Sequence, residues 1–104
     1  MPKYALIAVT SPAEGQDTAF RDWYENVHIP ELLRIPGMTG SRRFRIKSSN
    51  LGDAGRDQFI AIHEVDTDDL KAVLNAIGQT GKPPACLDPA ASRTIIAEEI
   101  FSSD

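Results

Sequence analysis

The stretch Asp22-Trp23-Tyr24-Glu25-Asn26-Val27-His28-Ile29-Pro30-Glu31-Leu32-Leu33-Arg34-Ile35-Pro36-Gly37 decides how this chain is read. It holds the only Trp, one of two Tyr and one of two His. At about 100° per residue, Phe20, Trp23, Tyr24 and Val27 fall on one side of a helix, and His28 lies about 80° round from Phe20 at the edge of that apolar stripe. An imidazole at such an edge meets both core and pocket. Pro30 disfavours helical geometry at Ile29, so the helix is expected to break just after His28, with Pro36-Gly37 a second stop before a strand.

Upstream, Tyr4 to Thr10 is apolar at both parities, as in a central strand covered on both faces. Ser11-Pro12-Ala13-Glu14 has a helix-capping pattern, but Gly15 follows at once, which moves the expected helix start toward Asp17. Downstream, Thr39 to Lys47 alternates, with Arg42, Phe44 and Ile46 on one face and Ser41, Arg43, Arg45 and Lys47 on the other. Residues 48–57 are turn-forming and read as a long hairpin connection. Gln58 to Val65 is a second strand apolar at both parities. Asp66-Thr67-Asp68-Asp69 then puts acids at a helix start, and Leu70, Val73, Leu74 and Ile77 form an i, i+3, i+4, i+7 stripe. Gln79 to Ser92 carries Gly81, Pro83, Pro84 and Pro89, a loop long enough to wall a pocket. Arg93 to Phe101 is the expected last strand, and Ser102 to Asp104 is expected to fray.

This order of strand, helix, strand, strand, helix, strand implies an α+β, ferredoxin-like βαββαβ fold over residues 1–104 as one domain: a four-stranded antiparallel sheet with two helices on one face. Two helices cover only one face. The apolar residues left on the other face would form a patch of a kind that monomers rarely expose, so a homodimer joined sheet to sheet is expected.

Asp22-Trp23-Tyr24-x-x-x-His28-x-Pro30-Glu31-Leu32-Leu33-x-Ile35-Pro36-Gly37, followed by Arg42-Arg43-Phe44-Arg45, resembles the dimeric α+β barrel superfamily, and within it the EthD-like proteins. The resemblance implies two ferredoxin-like subunits packing their sheets into a barrel, each with a small-molecule pocket between helices and sheet. Members of that superfamily include cofactor-free monooxygenases, polyketide cyclases, muconolactone isomerase and haem-degrading oxygenases, so it does not fix a reaction.

His28 is the candidate general acid and base, because a neutral imidazole near pH 7 takes or gives a proton; the competing role is a cap on helix-end carbonyls. Tyr24, an i, i+4 neighbour, would orient the imidazole or bond a substrate oxygen. Arg43 would stabilise developing negative charge, against the alternative of an edge-protecting charge row shared with Arg45 and Lys47. Phe20, Trp23 and His63 are the candidate substrate-binding wall, although the parity of His63 with Phe59 and Val65 also suits a buried histidine. Glu31 would polarise His28 or simply sit at a helix start.

Composition narrows the partners. A chain of 104 residues with 41% apolar and 25% charged side chains reads as a globular domain. A net charge of −4 and a pI near 5.1 argue against nucleic acid. No apolar run approaches a membrane span, and only seven apolar or small residues precede Pro12, so no secretory signal and a cytoplasmic location are expected. Cys86 is the only cysteine and reads as an ordinary loop thiol, without disulfide or zinc spacing. No metal site and no cofactor are expected. The expected function is proton-transfer chemistry of cyclase, isomerase or lyase type on an apolar carbonyl or phenolic compound. Left open beside it are a cofactor-free monooxygenase, a non-catalytic small-molecule-binding dimer and, lowest, haem binding through His28.

Overall fold

A computed structural model describes residues 2–49, 57–80 and 83–104. The elements run β1 (Lys3–Thr10), α1 (Asp17–Trp23), a π-helical turn (Tyr24–His28), α2 (Ile29–Leu33), β2 (Met38–Arg45), β3 (Phe59–Asp66), α3 (Leu70–Gly78), a 3₁₀ turn (Pro89–Ala91) and β4 (Arg93–Glu98). The strands form one sheet in the order β2-β3-β1-β4, with every pairing antiparallel. The two strands apolar at both parities are the central ones, as their pattern requires. This is the ferredoxin-like arrangement that the element order implied. No helix among the described residues is long and apolar enough to cross a membrane.

Three expectations are corrected. The first concerns the helix around Pro30, which does not break after His28: α1, the π-turn and α2 follow one another without interruption from Asp17 to Leu33. Pro30 has no N–H to give to an earlier carbonyl, and the wider turn directly ahead of it absorbs the lost bond, the Ile29 N–H donating instead to the Tyr24 carbonyl five residues back. The same turn changes which side chains face inward. Val27, expected in the apolar stripe, is 52% exposed, while Phe20 and Tyr24 stay buried. The second is the last strand, which stops at Glu98 rather than Phe101, and leaves Ile100 and Phe101 exposed. The third is Cys86, which is no ordinary loop thiol: it is buried in the core beside Phe20, Tyr24 and Ala61. Its carbonyl accepts from the Ala13 N–H at 2.7 Å, tying the loop before β4 to the segment after β1.

Helix α3 begins where the acids predicted, with the Asp69 side chain accepting from the Ala72 N–H at 3.1 Å as an N-cap. Gly37 ends the turn before β2 at φ 100°, a conformation a Cβ resists. Residues 50–56 of the expected hairpin connection, and residues 81–82 of the later loop, lie outside the described residues; the antiparallel pairing of β2 with β3 is as expected.

Between helices and sheet lie two apolar clusters. One joins Phe20, Tyr24, Ala61 and Cys86; the other joins Leu32, Met38, Val65 and Val73. Strand β3 supplies both, through Ala61 and Val65, and the residue between them on the same face is His63, also buried. On the opposite face Ile7, Val9, Ile60 and Ile62 are half-buried, and Phe44 and Ile95 are exposed.

Candidate functional site

The register of β2 decides where its charges go. Ser41 pairs with His63, Arg43 with Ala61 and Arg45 with Phe59, so all three share the face that the helices cover. Arg42 and Phe44 take the outer face. The cationic row is therefore turned inward along an edge strand. Arg45 reaches back out and is exposed, lying 3.9 Å from Asp57, but the Arg43 side chain is only 13% exposed.

The helical stretch supplies the facing side chains. In a uniform α-helix residues five apart point about 140° away from each other. Through the π-turn, Trp23 and His28 instead stack face to face, ring centres 4.6 Å apart and planes inclined by 14°. His28 also meets the Tyr24 ring edge-on at 5.1 Å and lies 6.3 Å from the His63 ring. Tyr24 in turn stands 5.5 Å from Phe20 and 6.4 Å from His63. Five of the sequence-predicted residues (Phe20, Trp23, Tyr24, His28 and His63) thus form one network of ring contacts.

Arg43 closes the network from the sheet side. Its guanidinium carbon sits 4.7 Å from the Tyr24 ring centre, 5.2 Å from Phe59 and 5.7 Å from Phe20, so three aromatic rings hold the cation in place. Arg43 Nη1 donates to Glu25 Oε2 at 2.7 Å, whereas Nη2 is buried and has no hydrogen-bond partner among the described residues. Glu25 was not singled out in the sequence, and only its opposite charge, 18 positions before Arg43, hinted at the pair.

Electrostatics sort the titratable groups. Burial lowers the His28 pKa, partly opposed by Glu31, whose Oε1 lies 3.9 Å from Nδ1. His28 is therefore a neutral imidazole at pH 7. Burial, with a further push from His28, brings the His63 pKa down to about 4, and a 2.8 Å hydrogen bond links its Nδ1 to the Ser41 hydroxyl. The partner of His63 Nδ1 is thus a side chain. Burial raises the Tyr24 phenol to about 12 against the pull of Arg43, which leaves it a neutral donor.

A cavity of about 290 Å³ opens on the far side of this network, lined by Asp17, Phe20, Glu25, Arg43, Arg45 and Phe59 among others. His28, Tyr24 and Trp23 are not part of its lining. The arrangement thus offers two chemical features joined through Tyr24: a neutral base among aromatic rings and a clamped cation facing a small cavity. Among the described residues no three His, Cys, Asp or Glu side chains are placed to hold a metal ion.

No family model matches the chain, and no curated protein does. Solved structures do match. An ethyl tert-butyl ether D (EthD) family protein from Bacillus halodurans is 24% identical, with a TM-score of 0.57 over 96% of this chain and 100% of its own. A protein of unknown function from Nitrosomonas europaea is 18% identical, with a TM-score of 0.57 over 99% and 94%. A proposed antibiotic biosynthesis monooxygenase from Bacillus cereus is 11% identical, with a TM-score of 0.56 over 100% and 99%. The fold is accordingly the ferredoxin-like one from which dimeric α+β barrels are built, as the Trp-Tyr-x-x-x-His-x-Pro segment implied.

Proposed function

We propose that this protein is a cofactor-independent enzyme that moves a proton on a small apolar carbonyl or phenolic compound. His28 takes the proton from a carbon next to a carbonyl, or from a phenol oxygen, and returns it to the same substrate at another atom. The enolate or phenolate formed in between is stabilised by the Arg43 cation, and the neutral Tyr24 phenol bonds the substrate oxygen. Phe20, Trp23 and His63 shape the wall. The supporting observation is the π-turn: an irregular helix inserts a neutral histidine among aromatic rings, and such turns cluster at functional sites.

The working form is a homodimer in the cytoplasm, joined through the outer sheet face, where Ile95 is 54% exposed on the face it shares with Ile7, Ile60, Ile62 and Phe44. A second reading, a non-catalytic binding dimer, is favoured by one observation, that the cavity is lined by Arg43 and not by His28.

Proton NMR titration of the His28 ring, assigned against His28→Gln, separates the two. A depressed pKa that moves again when aromatic or β-dicarbonyl ligands are added supports the enzyme. A pKa indifferent to every ligand, in a dimer that still binds some of them, leaves the binding module.

A further inference from the structure

Arg43 carries a feature that proton transfer at His28 does not use. Its guanidinium is desolvated and wedged among Phe20, Tyr24 and Phe59, which fixes its orientation before any ligand arrives. A fork of this kind is matched by a carboxylate that takes two parallel N–H groups. Glu25 satisfies only one of them. It bonds Nη1 alone, leaves Nη2 buried and without a partner among the described residues, and approaches from a helix position where its own side chain is 52% exposed. Native proteins rarely strand a buried charged donor, and one that persists calls for an explanation. Glu25 can swing into water at little cost, whereas Arg43 cannot leave its rings.

The cavity in front of this pair has a wall of Phe20 and Phe59 and a rim of opposite charges. Asp17 and Glu25 supply two negative side chains, and Arg21, Arg43 and Arg45 three positive ones, so the lining keeps an excess of positive charge. Its volume of about 290 Å³ lies at the small end of ligand pockets, typically about 300–1,000 Å³, and suits a body of one ring.

We propose that this cavity binds a small carboxylate with a one-ring apolar body, whose carboxylate displaces Glu25 and takes both nitrogens of the Arg43 fork. The ring of the ligand lies against Phe20 and Phe59. Glu25 acts as a stand-in for the ligand, closing the fork when the cavity is empty. The inference rests on this face being a small-molecule site, but it does not require His28 to move a proton.

Calorimetric and NMR titrations of the intact chain with benzoate, benzamide, acetate and inorganic phosphate test it, on the wild type and on Arg43→Met, Glu25→Gln and His28→Gln. Benzoate is expected to bind, and benzamide and acetate at least tenfold more weakly. Arg43→Met is expected to lose benzoate, while His28→Gln keeps it. Glu25→Gln is the decisive variant, because releasing the fork should tighten benzoate binding several-fold, an effect that a purely structural Arg43–Glu25 pair would not produce. Benzamide binding as well as benzoate, acetate or phosphate competing equally, no benzoate binding at all, or Glu25→Gln binding no tighter would each overturn the proposal. Benzoate binding with a silent His28 resonance would leave this proposal standing and lend no support to proton transfer at His28.

Discussion

Lowering the pH should destabilise this protein through His63. His63 is 1% exposed, lies between two apolar clusters on β3 and has a pKa near 4 against an ordinary 6.5, mainly because burial disfavours the charged ring. Above 6.5 the ring is neutral in both the folded and the unfolded chain and the linkage contributes nothing. As pH falls below 6.5 the unfolded chain takes up a proton that the folded protein refuses, and stability drops until the folded pKa is passed near 4. At 1.36 kcal/mol per pKa unit, the loss between about pH 7.5 and about pH 4.5 is about 2.5 kcal/mol. That is a large part of the roughly 5–15 kcal/mol that holds a domain together. His28, lowered in the same direction, adds to the loss. Urea unfolding followed by circular dichroism at a series of pH values, on the wild type and on His63→Gln, measures it. The variant has its own absolute stability, but its decline across this window should be shallower by about 2 kcal/mol, because the other titrating groups are common to both. Equal declines, within about 0.5 kcal/mol, would mean that His63 is not held neutral by burial, and the reasoning would fail.

Val27→Ser should change stability by no more than about 0.5 kcal/mol, whereas Leu32→Ala should cost about 2–5 kcal/mol in thermal or urea melts; comparable losses would put Val27 back in the core and remove the π-turn. Trp23→Ala uncovers His28 and should move its NMR-titrated pKa upward toward the ordinary value, while an unmoved pKa would deny that the stacked indole desolvates it. Gly37→Ala should destabilise more than Gly15→Ala: both have positive φ, but a Cβ at Gly37 would come within 3.2 Å of Val73 Cγ2 and one at Gly15 meets nothing. Ile95→Glu should convert the proposed homodimer to monomer by sedimentation velocity while circular dichroism is unchanged; a wild type that already sediments as a monomer refutes the sheet-to-sheet assembly.

Strand parity was the legible part of this chain, because a period of two has little room to drift over eight residues. It sorted β1 and β3 into central strands and split β2 into an arginine face and a Phe44 face. The helical stretch was less legible for a definite reason. Angular bookkeeping at a constant 100° assumes every turn is the same, and on that assumption Pro30 reads as an end, whereas its missing N–H is accommodated by one wider turn. The wider turn moves Val27 out and His28 against Trp23, so the error falls on the very residues that form the candidate site.

Arg43 shows the complementary limit. Parity places Arg43 and Arg45 on one face but says nothing about which face meets the helices, and a row of arginines on an edge strand ordinarily faces water. Here the apolar side chains decide. Ile7, Val9, Ile60, Ile62 and Phe44 share the other face, and Phe20, Tyr24 and Phe59 offer the arginine three rings and Glu25 a carboxylate. An arginine accepts such a place because its charge is delocalised and weakly hydrated, whereas a lysine would lose a compact hydration shell for no fork. Lysine at position 43 would therefore keep the charge, forfeit the ring contacts and the two-nitrogen grip, and bind a carboxylate little better than methionine does. Retained benzoate affinity in Arg43→Lys would show instead that the cavity senses only charge.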